Sequence, residues 1–182
     1  MKVITGKYRG RFLETPEGLN TRPTTGKIKE SIFNIIQFDI EGRRVLDLFA
    51  GSGQMGLEAL SRGAESCVFC DTDRKALSVI GRNIEKCKAQ NEAKVYNRDG
   101  LSFLKSAGKN SFGLIFLDPP YAAGLMDEAI NIITNVDILQ DGGIILCESG
   151  RDWNAPELTA PYRVVKVYEY GTTKITTITK GE

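Results

Sequence analysis

The segment VLDLFAGSGQMG, residues 45–56, is an apolar run followed by a glycine-rich turn and the start of a helical pattern that ends at Gly63. This order is typical of a loop that holds a nucleotide-type cofactor, because glycines let the backbone turn sharply and approach a ligand. Gly51, Gly53 and Gly56 also spell G-x-G-x-x-G, so a dinucleotide-binding dehydrogenase has to be considered. The glycine pattern alone is a weak signal.

An aspartate at the end of the strand favours a cofactor other than a dinucleotide. Asp47 precedes the loop, where its carboxylate would hold the amino group of S-adenosylmethionine directly or through water. A pyrophosphate would gain nothing from an anion at this position. We therefore expect S-adenosylmethionine as the cofactor, with loop contacts from Phe49, Ala50, Gly51 and Gly53.

Two further acidic residues follow later strands of the pattern. Asp71 ends the second strand about twenty residues past the glycine loop, the spacing at which an acidic side chain meets ribose hydroxyls. Asp71 and Thr72 are candidate cofactor contacts, and the alternative is that they simply cap the next helix. Both interpretations hold together if Thr72 or Asp73 is the cap. Asp99 and Gly100 follow the third strand, where Asp99 is expected to accept from the adenine amino group. Asp-Gly is also an ordinary turn.

The tetrapeptide Asp118-Pro119-Pro120-Tyr121 follows another apolar run and suits the methylation of a planar amino group. The lone pair of an exocyclic amine is delocalised into the base, so its nitrogen is a poor nucleophile until acceptors hold its N–H groups. Asp118 offers a carboxylate and Pro119 a carbonyl, whereas Tyr121 offers a ring on which an extruded base stacks. All four are candidate catalytic residues, and Asp118 is also a candidate cofactor contact. A Pro-Pro turn after a strand is the alternative.

The alternation of strands, helices and acidic strand ends predicts an α/β fold with its ligands at the carboxyl ends of parallel strands. A fifth strand is predicted at 143–148, and the pattern around Gly171 predicts a terminal antiparallel hairpin. Thr24 or Thr25 is expected to cap a helix after the N-terminal segment. Residues 1–182 are expected to form one domain, with 1–25 as an appended basic hairpin and loop.

Composition excludes several kinds of chemistry. The 182 residues contain no histidine, so neither a His-based triad nor a His-ligated metal site is possible. Cys67 and Cys70 are three apart in a strand, which places them on opposite faces, so we expect structural cysteines and no metal. No apolar run approaches the length of a membrane span. The cytoplasm is therefore the expected location, with no membrane partner.

Basic residues are concentrated near the start of the chain. Residues 1–30 hold seven Lys or Arg against three acidic residues, whereas the net charge of the whole chain is +1. With Tyr8 and Phe12 they suit phosphate binding and base stacking, and the spacing of Gly6 and Gly10 favours contact by keeping the backbone accessible. An ordinary solvated hairpin face is the alternative. The candidate RNA-binding residues are Lys7, Arg9, Arg11 and Arg22.

Six segments that span nearly the whole chain carry recognisable motifs: Val3–Arg11, Thr21–Thr25, Glu30–Asn34, Leu46–Gly53, Gly56–Ala64 and Asp118–Tyr121. They resemble those of bacterial 16S ribosomal RNA guanine-N2 methyltransferases of the RsmD type. The resemblance implies a Rossmann-like class I S-adenosylmethionine-dependent methyltransferase fold, with a mixed seven-stranded sheet, helices on both faces and an N-terminal β-hairpin extension. It also implies N2 of one guanine in 16S rRNA as the methyl acceptor and the small ribosomal subunit, assembled or partly assembled, as the partner of a monomer.

Three departures from that family's pattern leave the reaction type unchanged. Gln54-Met55 replaces a smaller, more apolar pair, Gly26 replaces an acidic residue, and Asp71 replaces a glutamate. Two alternatives stay open: a non-catalytic RNA-binding ribosome assembly factor that retains the fold, and an amino methyltransferase acting on another nucleic acid base. A NAD-linked oxidoreductase would leave the Asp-Pro-Pro-Tyr tetrapeptide without a role.

Overall fold

The computed structural model of the chain describes residues 1–16, 26–120 and 124–181. The strands form one sheet in the order β3-β2-β1-β4-β5-β7-β6, in which the pairs from β3 to β5 are parallel and β7 is antiparallel to both β5 and β6. The predicted Rossmann-like α/β fold with a mixed seven-stranded sheet is therefore confirmed. In chain order the elements are α1 (Gly26–Ile35), β1 (Arg44–Leu48), α2 (Gln54–Ser61), β2 (Ser66–Asp71), α3 (Arg74–Cys87), β3 (Ala93–Asn97), α4 (Gly100–Ser106), β4 (Phe112–Leu117), α5 (Leu125–Val136), β5 (Leu139–Gly150), β6 (Tyr162–Tyr170) and β7 (Thr173–Lys180).

Helices pack on both faces of the sheet, as predicted. α1, α2 and α3 contribute to one apolar core, and α4 and α5 contribute to the other. Because successive side chains of a strand point to opposite faces of the sheet, β2 contributes side chains to both cores. Cys67 lies in the first core and Cys70 in the second. All four cysteines are buried free thiols, which agrees with a structural role. None of the helices in the described ranges is long and apolar enough to cross a membrane.

The strand order places a crevice between β1 and β4. From β1 the chain builds outward through β2 to β3, and then returns to add β4 on the other side of β1. Open α/β sheets bind ligands outside the carboxyl ends of the strands at such a switch point. Asp47 lies near the end of β1, opposite Phe116 of β4, and Asp118 directly follows β4.

The N-terminal segment forms the predicted hairpin, held by one antiparallel bridge between Lys2 and Phe12. Gly6 itself is exposed, but one side of its backbone packs closely against the chain. Its φ is +85°, and a Cβ at this position would lie 1.7 Å from the carbonyl oxygen of Ser61. Gly6 is therefore needed because the hairpin backbone packs directly against the end of α2, where the Lys7 N–H donates to the same carbonyl at 2.8 Å.

A buried ionic cluster, which we call the clasp, joins the hairpin to α1 and α2. Glu58 is fully buried and accepts from Lys29 Nζ at 2.9 Å and from Arg62 Nε at 3.0 Å. It also accepts from the backbone N–H groups of Ile4 at 2.8 Å and Thr5 at 3.0 Å. Lys29 is one of the seven basic residues near the start of the chain, but it is only 2% exposed and is unavailable to phosphates.

Candidate functional site

A cavity of about 820 Å³ opens at the carboxyl ends of β1, β2, β4 and β5. This volume is in the range of sites that hold small molecules and cofactors. Gly53 does not line it, and Arg22, Thr24, Thr25 and Tyr121 lie outside the described residues. The predicted site residues that line the cavity together are Asp47, Phe49, Ala50, Gly51, Asp71, Thr72, Asp99, Gly100, Asp118, Pro119 and Pro120.

The glycine loop is held in place by Asp71. The N–H of Gly51 donates to Asp71 Oδ2 at 2.8 Å, and the N–H of Asp73 donates to Asp71 Oδ1 at 2.9 Å. Each carboxylate oxygen keeps a second acceptor position, so these bonds leave room for the predicted ribose hydroxyls. Asp73, rather than Asp71 or Thr72, caps α3 by accepting from the N–H of Lys75.

Two other glycines of the motif serve the turn and the packing behind the cavity. Gly53 has a φ of +73° and precedes α2 in the left-handed conformation that glycine adopts without strain. A Cβ at Gly56 would lie 2.3 Å from the ring of Phe69 and 2.5 Å from the sulfur of Cys67. Gly56 therefore lets α2 pack closely on β2 and positions the loop indirectly.

Asp47 is buried at the base of the cavity. It is 4% exposed, and its Oδ2 accepts from the N–H of Gly56 at 2.9 Å. Burial raises the pKa of Asp47 to about 8 despite this hydrogen bond, and the charges of Asp118 and Asp71 raise it further. A cation bound beside Asp47 would offset both effects.

The lining as a whole is strongly acidic. Among the described residues it holds six carboxylates against one basic side chain, that of Arg98. No group of three or more acidic or cysteine side chains within 1–16, 26–120 and 124–181 is arranged to hold a metal ion. The excess of carboxylates over basic side chains fits an organic cation with polar groups. The six acidic residues are Asp47, Asp71, Asp73, Asp99, Asp118 and Glu148.

Asp118 and the two prolines form one side of the cavity. The Asp118 side chain is exposed to this space, but the surrounding protein still raises the pKa of its carboxyl to about 6 by burial. The group is therefore mostly ionised at neutral pH and can accept hydrogen bonds. Pro119 and Pro120 follow directly, and Pro119 is half-buried.

Asp99 begins a helix rather than an isolated turn. Its Oδ2 accepts from the N–H of Ser102 at 2.9 Å as the N-cap of α4, and this hydrogen bond lowers its pKa. Gly100 is required by packing, because a Cβ there would lie 2.8 Å from the ring of Phe49. Phe49 is thereby fixed against the start of α4, on the cavity wall.

Lys7, Arg9 and Arg11 lie outside the cavity lining, and Lys7 and Arg11 make contacts within the chain. Lys7 Nζ lies 2.5 Å from Glu92 Oε1, and the Arg11 guanidinium donates to the carbonyl of Lys86. Tyr8 is buried and its hydroxyl donates to Glu92 at 2.7 Å, so the expectation that it stacks on a base was wrong. Phe12 remains largely exposed beside Lys2.

Two residues near the site were not identified from the sequence. Asn83 is fully buried in α3, where its Nδ2 donates to the carbonyls of Ser52 and Glu14, both at 3.0 Å. It joins the glycine loop to the segment after the hairpin. In the sequence, Asn83 could have been identified as a polar residue within an otherwise apolar helix face. Glu148 also lines the cavity. In the sequence, Glu148 could have been identified as an acidic residue at the end of the predicted strand 143–148.

Three comparisons relate the chain to known proteins. Residues 1–179 match the family described as conserved hypothetical protein 95. The chain is 41% identical to "Putative rRNA methyltransferase YlbH" of Bacillus subtilis (strain 168), covering 96% of each chain. It is 37% identical to "Ribosomal RNA small subunit methyltransferase D" of Escherichia coli (strain K12), covering 88% of this chain and 80% of that one. The structure matches that of "Putative methyltransferase yhhF from Escherichia coli" with a TM-score of 0.89 and 33% identity, covering 100% and 98% of the two chains.

Proposed function

The chain belongs to the conserved hypothetical protein 95 family, and from that premise we propose that it methylates the N2 amino group of one guanine in 16S rRNA, with S-adenosylmethionine as donor. The observation that carries the proposal is that Asp118 and Pro119 share one cavity with the glycine loop and Asp47. A methyl donor and an amine-holding tetrapeptide are needed within reach of each other. The names of the relatives give the rRNA substrate.

The acidic lining supports S-adenosylmethionine as the cofactor. When bound, this molecule supplies a methyl group that its sulfonium has already activated. Asp47 would hold the ammonium of the methionine part, and Asp71 would accept from the ribose hydroxyls. Asp99 would accept from the adenine amino group, beside the ring of Phe49. These roles use the carboxylates in the part of the cavity bordered by the glycine loop and α4.

Asp118 and Pro119 would prepare the target amine. The Asp118 carboxylate and the Pro119 carbonyl accept from the two N–H groups, which orients the nitrogen lone pair toward the methyl carbon. S-adenosylmethionine held by Asp47 and the glycine loop would supply the methyl group to this nitrogen. The methylated amine then loses one proton to Asp118, whose pKa of about 6 suits transient protonation at neutral pH.

The substrate base would have to leave its stack to reach this cavity. The walls beside Asp118 include Phe116, Leu146 and Ile175, which suit the flat face of a base. Unstacking is cheapest in single-stranded or junction RNA. Lys7, Arg9, Arg11 and Arg22 remain proposed phosphate contacts, and Tyr121 remains a proposed stacking partner for the base.

We further propose that residues 1–182 act as one methyltransferase domain, as a monomer in the cytoplasm, on a partly assembled small subunit. One continuous sheet with a core on each face supports the single domain. Recognition of a particle rather than free RNA would let shape and bound proteins contribute to specificity.

The direct test uses radiolabelled S-adenosylmethionine and small-subunit particles from cells that lack the gene. Wild type, Asp118→Ala and the exposed control Asp152→Ala are compared, and the RNA is digested to nucleosides. We expect label in N2-methylguanosine with wild type and control, and at least about 100-fold less with Asp118→Ala. Cofactor binding without any labelled nucleoside would instead favour the non-catalytic assembly factor, and label in another nucleoside would favour a different base.

A further inference from the structure

We infer that Glu148 selects guanine as the target base by accepting the ring N1–H that lies next to the amino group held by Asp118. The inference rests on the proposed methylation of guanine N2 and names the group that gives that reaction its base specificity. Glu148 is a residue of β5, whereas the tetrapeptide follows β4.

The register of the sheet brings Asp118 and Glu148 to corresponding positions, each directly after the last paired residue of β4 and β5. β4 and β5 are parallel, and Leu117 pairs with Cys147. Asp118 and Glu148 are the next residues on each strand, and paired Cα atoms on neighbouring strands lie about 4.8 Å apart. Both residues line the same cavity at the same edge of the sheet.

The side chains around Glu148 form an apolar wall. Strand alternation places Glu148 on the same face as Leu146, and its partner on β7 is Ile175, which is fully buried. Leu146, Ile175 and Phe116 all line the cavity beside it. A flat base against this wall would present its edge to Asp118 and Glu148, and a carboxylate can accept several hydrogen bonds at once.

The chemistry of the bases explains why a second carboxylate would discriminate. Guanine carries a hydrogen on N1, the ring nitrogen adjacent to the amino-bearing carbon. The corresponding positions, N1 of adenine and N3 of cytosine, carry a lone pair and accept hydrogen bonds. Glu148 would bind the guanine donor and repel the lone pair of the other two bases. Asp118 alone would accept from the amino group of any of the three.

The test compares wild type, Glu148→Gln and the exposed control Glu157→Gln on two kinds of particle. One kind carries the natural target guanine, mapped by mass spectrometry, and the other carries adenine at that position. The Gln amide keeps one acceptor oxygen but loses the charge, and its NH₂ group can donate to N1 of adenine. Binding of S-adenosylmethionine is measured in parallel by calorimetry.

We expect Glu148→Gln to lower kcat/KM on guanine particles by about 10- to 100-fold, the loss of one charge-assisted hydrogen bond. Cofactor affinity should stay within about twofold of wild type. The ratio of adenine to guanine methylation should rise at least about tenfold, while Glu157→Gln behaves as wild type.

Three results would overturn the inference. An unchanged kcat/KM for Glu148→Gln on guanine particles would be enough to overturn it. An unchanged ratio of adenine to guanine methylation would also be enough. A parallel loss of cofactor binding and activity would show that Glu148 only maintains the site. If wild type forms no N2-methylguanosine, the proposed function fails first and takes the inference with it, and this failure is visible without any Glu148 variant.

Discussion

The backbone N–H of Gly56 donates to Oδ2 of Asp47 at 2.9 Å, joining the first turn of α2 to the end of β1 at the base of the cavity. This bond fixes one carboxylate oxygen, so the other is the one available to a ligand. The carboxyl group of Asp47 is buried and its pKa is about 8, so ionising it costs free energy in the ligand-free protein. A bound cation would offset this cost.

Replacing Asp47 by Asn should stabilise the ligand-free protein while weakening cofactor binding. The pKa of about 8 in the folded protein lies above the ordinary aspartate value of 3.8. Between these two pH values the folded state therefore holds a proton that the unfolded state has lost. The resulting stability is fully present below about pH 4 and is lost as pH rises through 8. At pH 8 the free energy of unfolding of Asp47→Asn, measured with urea, should exceed that of wild type by on the order of 1–3 kcal/mol. Asp152→Asn is the exposed control, and parallel pH curves for wild type and variant would contradict this account.

Binding of S-adenosylmethionine should release a proton near pH 7. A cationic ammonium favours the ionised form of Asp47, which is largely protonated in the free protein. Calorimetry in buffers of different ionisation enthalpy measures this release directly. Asp47→Asn should bind at least about tenfold more weakly and release no proton from this site. Equal proton release by the variant would assign the proton to another group.

The methylation rate should depend on the ionisation of Asp118. Its pKa of about 6 predicts that kcat/KM falls as pH is lowered through 6, because a protonated carboxyl loses the charged acceptor for the amine. Asp118→Asn should be at least about 100-fold slower and should lose this pH dependence. Cofactor affinity measured across the same pH range separates this effect from that of Asp47. A wild-type profile without an inflection between pH 5 and 7 would rule out the role.

Substituting Gly56 by Ala should destabilise the fold by about 1–3 kcal/mol, because the new methyl group would overlap Phe69 and Cys67. Gly81 of α3 is a matched control, since a Cβ there meets no atom within 4 Å. Gly81→Ala should instead stabilise by about 0.5–1 kcal/mol through helix propensity. Urea unfolding of both variants measures the contrast, and equal stabilities would contradict the packing explanation.

The substitution Glu58→Gln should lower the free energy of unfolding by about 3–5 kcal/mol, because Lys29 would be left as a buried, unpaired cation. It should also loosen the N-terminal hairpin. The control is Glu128→Gln, which breaks an exposed pair with Lys105 at 3.7 Å and should change stability by less than about 0.5 kcal/mol. Hydrogen exchange of the Ile4 and Thr5 amides gives a local measurement. If these amides are as well protected in Glu58→Gln as in wild type, the clasp does not hold the hairpin in place.

The parts of the site predicted correctly from the sequence depend on short-range patterns. An apolar strand followed by glycines or by Asp-Pro-Pro identifies a strand end, and strand ends of a parallel sheet meet at one edge. Asp47 and Asp118 could be brought together on that basis alone, although they are about seventy residues apart. The roles of the individual residues remain predictions.

The errors arose where a contact partner is distant in sequence and lies in no motif. Lys29 and Tyr8 looked like surface residues for RNA, but Glu58 and Glu92 bind them inside the fold. The packing of Gly6 against Ser61, 55 residues later in the chain, was not predicted either. Glu148 was placed on a strand correctly, but its position beside Asp118 depends on the pairing of β4 with β5, which local patterns do not specify.

The clasp also imposes an order on events during synthesis of the chain. The hairpin leaves the ribosome early, yet its partners Glu58, Ser61 and Glu92 are made 50 to 85 residues later. Until those residues emerge, Val3 and Tyr8 have no core to enter. The segment that is synthesised first therefore cannot complete its contacts with the core until all residues up to Glu92 have been made.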